Sequence, residues 1–233
     1  MQHGDRLFQT PLPASLYHLA DVENWPSIQH HGLLSTSALL DLTGIQGEKR
    51  WQIEQSQRLQ QTNLASGILV RDQRPIAPAA LERCLRGMTI HEWYALLNAR
   101  IFFWLDTDRL NRMLKANGRR PQVVMVLDTR QLLAAYADRI ELTPINTGNT
   151  RRQPALRGRQ TFVPYRTWLE SRWLSETEAL GTSGRSRSHH PAELTVLGAM
   201  PDVMTFVKHT QHLQAGEPFL AGDAIIEATH VQN

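Results

Sequence analysis

Leu16-Tyr17-His18-Leu19-Ala20 runs directly into Asp21-Val22-Glu23-Asn24-Trp25-Pro26-Ser27-Ile28-Gln29-His30-His31-Gly32-Leu33-Leu34-Ser35-Thr36-Ser37. The stretch reads as a short strand, a helix and a turn that together present one histidine. Leu16 to Leu19 is apolar apart from His18 and includes the aromatic Tyr17, as a short buried strand would. Asp21 suits an N-cap, Pro26 falls in the first helical turns, and Trp25 and Ile28 are spaced to share a face. Gly32 then stops the helix as a C-cap, and Leu33-Leu34 re-enters the core.

Further along, Arg100-Ile101-Phe102-Phe103-Trp104-Leu105 is the clearest strand, a run of bulky apolar residues after a charge. Val123 to Asp128 reads as a buried strand from its β-branched run, and shorter strands are expected at Arg139 to Leu142, Phe162 to Tyr165 and Ala192 to Leu197. Gly67 to Asp72 is a strand or turn leading to a linker with Pro75 and Pro78. Helices are expected in a Gln-rich exposed segment from Gly47 to Asn63, from Leu81, after caps at Thr89, Thr107 and Thr129, and from Arg166 to Leu174. From Gln211 the pattern fades into a peripheral strand or tail, and no internal repeat is present. The expectation is a mixed α+β domain over 14–210, with an N-terminal arm (1–13) and a C-terminal extension (211–233).

Composition narrows the function classes. A chain of 233 residues has room for one domain with an ample core. No apolar run reaches the roughly 20 residues of a membrane span and no signal-peptide pattern opens the chain, so no membrane partner is expected and the cytoplasm is the expected compartment. The single Cys84 excludes an internal disulfide or a cysteine zinc cluster. His30-His31 and His189-His190 lack a carboxylate spaced to complete a site, so no metal is expected. Phosphate-loop, dinucleotide-glycine and His-Glu-x-x-His signatures are absent. Net charge is +3, and the Arg residues concentrate in Asn149 to Arg159 and in Gly181 to His190. The planar guanidinium fork suits phosphate, so these loops fit nucleic acid or a pyrophosphate; solvated loops are the plain alternative.

Three places combine polar groups with apolar strands: His18, the Arg100/Phe103/Trp104 group, and Glu193 at the head of Leu194-Thr195-Val196. A carboxylate there is costly to bury unless something uses it. The plain readings are a satisfied core histidine, a solvated strand flank for Arg100 and a strand-edge Glu193 with its head in water. Asn146-Thr147-Gly148-Asn149-Thr150-Arg151 can form a backbone anion nest or an ordinary Asx-rich turn.

Taken in order, a first-strand His, a middle-strand aromatic and a Glu opening a late strand resemble the ADP-ribosyltransferase superfamily. The nearest branch is the DNA-targeting ADP-ribosyltransferase toxins of toxin–antitoxin systems, which also open on Tyr-His. From about residue 14 to residue 207 the chain also resembles an uncharacterised bacterial domain family with Asn-Trp-Pro-Ser-Ile, Phe-Phe-Trp and Pro-Ile-Asn-Thr-Gly-Asn-Thr blocks. The resemblance implies a split β-sandwich with flanking helices, a cleft between its sheets, and NAD as co-substrate. It places Tyr17, His18 and Leu19 at the cofactor, with His18 on a ribose hydroxyl and the Leu19 backbone where many transferases use glycine to grip the nicotinamide amide. Ser35 and Thr36 match the turn beside the nicotinamide, and Phe103, with Trp104 as rival, is the stacking aromatic. Glu193 is the catalytic carboxylate, and Pro191 stands where arginine-modifying transferases have Glu or Gln, which argues against an arginine acceptor. Arg151 is expected at the cofactor, and Asn146, Thr147, Asn149, Arg152 and Arg157 at the acceptor.

These residue types suit the chemistry. Breaking the nicotinamide–ribose bond builds positive charge on carbon, which a nearby carboxylate stabilises, while an aromatic holds the leaving ring. The function expected is therefore ADP-ribose transfer to a nucleic-acid base (DNA or RNA) or another macromolecule, in a toxin or defence role with an antitoxin partner. Two alternatives stand beside it: an NAD-dependent RNA 2′-phosphotransferase, and a non-catalytic nucleotide- or partner-binding module.

Overall fold

In the computed structural model, which describes residues 12–64, 67–71, 73, 77–116, 120–148, 154–186 and 188–221, the opening stretch forms the strand, helix and turn expected of it. Strand β1 (Ser15–Asp21) is followed by α1 (Trp25–His31), β2 (Leu33–Leu34), α2 (Thr36–Leu42), α3 (Gly47–Glu54), β3 (Thr62–Asn63) and β4 (Leu69–Val70). Next come α4 (Pro78–Cys84), α5 (Ile90–Asn98), β5 (Arg100–Trp104), α6 (Thr107–Ala116), β6 (Gln122–Asp128), α7 (Thr129–Tyr136) and β7 (Ile140–Thr143). The chain continues through β8 (Val163–Pro164), α8 (Tyr165–Ser171), α9 (Leu174–Leu180), β9 (Glu193–Leu197), β10 (Ala199–Met200) and β11 (Val207–Leu213).

Seven strands make one antiparallel sheet in the order β11-β6-β1-β5-β9-β7-β8. Its joints are unequal. β1 pairs with β6 along its whole length, Ser15↔Asp128 to Asp21↔Gln122, but meets β5 at one position, Tyr17↔Trp104. The sheet therefore parts between β1 and β5 into a β11-β6-β1 half and a β5-β9-β7-β8 half. This is an α+β fold with a split sheet flanked by helices.

Side-chain alternation along the strands builds a core on each face. On one face Leu16, Phe103, Met125, Leu142 and Leu194 pack under α1, α7 and α8, through Ile28, Leu132, Leu133, Tyr165 and Trp168. The opposite face is divided at the seam. Val124 and Val126 pack with Leu110 and Leu114 of α6 and with Phe219 on one side. On the other side Phe102 meets Trp93, Tyr94 and Leu81 of α4 and α5.

Several local expectations need correction. Asp21 does not cap α1; its carboxylate, 4% exposed, pairs with Arg71 at 3.0 Å, and a 3-10 turn leads into the helix instead. The caps of α6 and α7 lie one residue earlier than Thr107 and Thr129, since Asp106 accepts from Arg109 N at 2.7 Å and Asp128 from Gln131 N at 3.0 Å. The Gln-rich helix ends at Glu54. Arg100 is not a solvated flank: it is 7% exposed, pairs with Glu141 at 2.7 Å and lies over the Phe162 ring. Burial in a central strand forces that guanidinium to find a carboxylate. Thr89 builds a full capping box with Glu92.

Candidate active site

The seam between β1 and β5 is where backbone groups lose their ladder partners. His18, one residue beyond the last β1–β5 pair, turns its ring across the opening, and its Nδ1 donates to the Phe102 carbonyl at 2.9 Å. A carbonyl only accepts, so Nδ1 carries the proton and Nε2 keeps its lone pair. Burial, helped by the charge of Arg71, holds the imidazole down at about 4 against the Phe102 bond, so the ring is neutral at physiological pH. Alternation along an antiparallel strand has a second effect. The Phe102 carbonyl faces β1, so the backbone of Trp104 two residues on faces β1 as well, and that of Tyr17 opposite it faces β5. Leu19, two beyond Tyr17, therefore directs its own N–H and C=O into the opening, where no described β5 residue pairs with it.

On the face covered by α6, the strands set Tyr17, Trp104, Glu193 and Thr143 in one row through the pairs Tyr17↔Trp104, Trp104↔Glu193 and Thr143↔Glu193. Tyr17 and Trp104 are half-buried there, and the Phe219 ring meets Tyr17 edge-on at 5.4 Å. Reciprocal bonds from Asn111 to the Phe219 backbone, at 2.8 and 3.1 Å, fix that residue in place. β1 and β9 flank β5, so two inter-strand spacings put His18 and Glu193 on the order of 10 Å apart. They approach the seam from the two faces of the sheet.

Glu193 is 3% exposed, and its Oε2 accepts from Thr147 Oγ1 at 2.9 Å and from Thr147 N at 3.2 Å, with Thr143 Oγ1 also at 3.2 Å. Its Oε1 accepts nothing from a described residue. The Thr143 hydroxyl also lies 2.7 Å from the Ile145 carbonyl, so its one proton is shared between that oxygen and Glu193. Burial raises this carboxyl to about 7, opposed by the Thr147 and Thr143 bonds and by the positive charge of Arg109. A carboxylate poised near neutrality, with one free oxygen, is equipped to stabilise positive charge or take a proton.

The other sequence candidates lie as follows. Phe103 is fully buried beneath the seam, its ring 5.5 Å from that of His18, so it has no surface to offer a ligand. Alternation turns its neighbour Trp104, the rival aromatic, to the Glu193 face. Ser35 is buried and its hydroxyl caps α2 by accepting from Ala38 N; Thr36 follows as the first helical residue. Asn146 is exposed and closes an Asx turn onto Gly148 N, while Thr147 is buried against Glu193. Arg157 is 1% exposed, and its guanidinium donates to the carbonyls of Thr147 and Ala155. Asn149, Arg151 and Arg152 lie outside the described residues.

Sequence reasoning missed Thr143, Arg109 and a charged cluster at the end of β1. There the Asp21 carboxylate accepts from Arg71 Nη2 at 3.0 Å and from Gln122 Nε2 at 2.5 Å, with Arg120 at 3.8 Å. Buried Asp21 and Gln122 stand opposite each other in the β1–β6 register, and no spacing in the sequence announces that pairing.

The chain belongs to a family described as a family of unknown function, DUF7002, whose model matches residues 14–207. No curated protein matches it. Among solved structures it is similar to Thermus sp. 2.9 DarT in complex with NAD+, at 13% identity and a TM-score of 0.42, covering 96% of this chain and 91% of that one. It is also similar to Thermus sp. 2.9 DarT in complex with ADP-ribosylated ssDNA, at 12% identity and a TM-score of 0.41 over 94% of this chain and 88% of that one. A third is Thermosipho africanus DarTG in complex with ADP-ribose, at 12% identity and a TM-score of 0.40 over 94% of this chain and 47% of that one.

Proposed function

We propose that this chain is an NAD-dependent ADP-ribosyltransferase that works at the β1–β5 seam. One observation carries the reading: a neutral His18 with a free Nε2 and a buried Glu193 with a free Oε1 flank β5, with Trp104 between their strands. The groups present fit NAD. The unpaired Leu19 N–H and C=O suit a carboxamide, Nε2 of His18 suits a ribose hydroxyl, and Trp104 offers a flat surface for the pyridine ring.

NAD, when bound, supplies an ADP-ribosyl group whose bond to nicotinamide breaks with positive charge developing on the ribose carbon. His18 accepts a hydroxyl proton in a hydrogen bond and, being neutral, adds no charge that would oppose this. Ionised Glu193 sets a negative charge in a low-dielectric pocket, where it counts for more than in water. The acceptor's heteroatom bonds to the ribose carbon as nicotinamide leaves with the bonding pair. The acceptor's proton passes to Glu193 Oε1 and then to solvent, which balances the reaction.

We place a nucleic-acid base as the acceptor. Support comes from the opening Tyr-His pattern and from Arg83, Arg86 and Arg159, exposed around the bridge between Leu85 and Arg157 and able to meet phosphates. An antitoxin partner and a cytoplasmic setting belong to the same reading. No helix among the described residues is long and apolar enough to cross a membrane.

The test is to incubate wild type and Glu193→Ala with labelled NAD and separate pools of DNA, RNA and protein. Label on nucleic acid from wild type alone supports the proposal. Absence of label and of nicotinamide release, with folding verified, overturns it. Equal turnover by Glu193→Ala points instead to phosphotransfer without a catalytic carboxylate.

A further inference from the structure

The turn after β7 and the segment before β8 meet behind Glu193. Thr147 supplies two of the bonds to Glu193 Oε2, one from its backbone N–H and one from its hydroxyl. Both depend on where the Thr147 residue is held, and its carbonyl is held from behind. Arg157 Nη1 donates to Thr147 O at 2.8 Å, and Nε donates to Ala155 O at 3.1 Å. The guanidinium also faces the Cys84 thiol and lies 5.7 Å from the centre of the Trp93 ring.

Arg157 is in turn locked to the helical layer. Its N–H donates to the Cys84 carbonyl and its carbonyl accepts from Arg86 N, each at 2.9 Å, which forms the bridge to Leu85. Gly158 permits this approach, since a Cβ there would lie 2.6 Å from the Arg86 carbonyl oxygen. On its other side the turn is held by His189, whose Nε2 donates to the Pro144 carbonyl at 2.9 Å. A guanidinium buried this deeply is an expensive way to tie a surface turn to a helix; apolar packing would serve as well. A donor fork behind the Thr147 carbonyl gains its purpose from what Thr147 holds.

We propose that Arg157 is a positioning residue for Glu193: by holding the Thr147 carbonyl it fixes the residue whose N–H and hydroxyl hold the carboxyl, and so couples the α4–α5 layer to the catalytic group. This rests on the reading of Glu193 as the catalytic carboxylate. The charged groups that face Glu193 are Arg109 from α6 and Arg157 itself; Thr143, Thr147 and Trp104 complete its walls. Hydrogen bonds to the ionised form favour that form, so loosening Thr147 leaves more Glu193 protonated at neutral pH.

The experiment compares wild type, Thr147→Val, Arg157→Met and Arg157→Lys by two readouts: titration of the Glu193 side-chain carboxyl by carbon-13 NMR, and the pH profile of NAD turnover. Thr147→Val and Arg157→Met are expected to raise the Glu193 titration midpoint by about 1 unit. The acid limb of turnover should shift by the same amount, with KM for NAD unchanged and activity largely recovered at alkaline pH. Arg157→Lys, which keeps one donor and the charge, should show a smaller upward shift. If Arg157→Met does not fold, Arg157→Lys decides, and a wild-type midpoint there overturns the proposal. An unmoved midpoint in Arg157→Met also overturns it, whatever happens to activity. If wild type itself turns over no NAD, the transferase reading fails, while the NMR titration still tests the link from Arg157 to Glu193.

Discussion

His18 spans the seam to Phe102: the imidazole Nδ1 meets that carbonyl at 2.9 Å, just past the position where the backbones of β1 and β5 stop pairing. A side chain replaces a ladder rung, and this one contact sets the ring's tautomer and helps hold the parted strands. His18→Ala should leave the Phe102 carbonyl unpaired and remove the acceptor aimed into the seam. We expect NAD turnover to fall by roughly 100-fold, and by less in a variant that restores an acceptor, such as His18→Asn. Steady-state kinetics across the two variants checks this.

Stability against pH carries a signature of the same two groups. His18 is held at about 4 when folded, below its ordinary value, so between pH 4 and 6.5 the unfolded chain binds the extra proton and stability rises with pH. Glu193 is held at about 7, above its ordinary value, so between pH 4.5 and 7 the folded chain binds the extra proton and stability falls as pH rises. From pH 4.5 to 6.5 the two slopes oppose each other. Glu193→Gln should expose the His18 slope, and His18→Asn the Glu193 slope, each amounting to about 3 kcal/mol across its window. Denaturant unfolding at several pH values, read as differences from wild type, gives both signs.

Glu193→Gln keeps the shape of the side chain and removes its charge. Turnover should drop by about 100- to 1,000-fold while NAD affinity stays within a few-fold of wild type, because in the proposed reaction the carboxylate acts on charge present only as the bond breaks. Calorimetric binding measured beside single-turnover chemistry separates these effects.

Phe103 and Trp104 are neighbours with opposite assignments. Phe103→Ala empties a fully buried site and should cost about 3–5 kcal/mol of stability. Trp104→Ala, at a half-buried position in the Glu193 row, should cost far less stability and weaken NAD binding by about 10-fold. Thermal unfolding and NAD titration of both variants distinguish core from stacking surface.

Gly32 combines φ +76° with a close approach: a Cβ there would lie 2.2 Å from the Met200 carbonyl oxygen. Gly32→Ala should destabilise by about 2–4 kcal/mol, whereas Gly44→Ala, at φ +66° in open space, should cost only about 1 kcal/mol. Paired denaturant curves test the difference, which isolates the β2–β10 contact from the backbone strain.

Much was legible in the sequence because it is written at short range. Apolar runs marked β1, β5, β6 and β9; Thr89 marked a helix start; Gly32 marked a helix end. The residue types His18 and Glu193 stood out because each is polar within an apolar run. What short-range pattern could not supply was facing and pairing. It could not tell that Phe103 turns inward and Trp104 outward, that Arg100 finds Glu141, or that Asp21 finds Arg71 and Gln122 rather than capping a helix.

By itself the amino-acid order determined most of the longer elements, the α+β class and a small set of candidate residues, since propensity, capping and periodicity act between residues a few positions apart. Tertiary structure alone decided where β1 and β5 part, which backbone groups that leaves open at Leu19, and how Thr147 comes to hold Glu193 with Arg157 behind it. Those relationships join residues far apart along the chain, 84 positions in the case of His18 and Phe102. They arise because a buried polar group takes whichever partner the packed sheet brings within reach, not the one nearest along the chain.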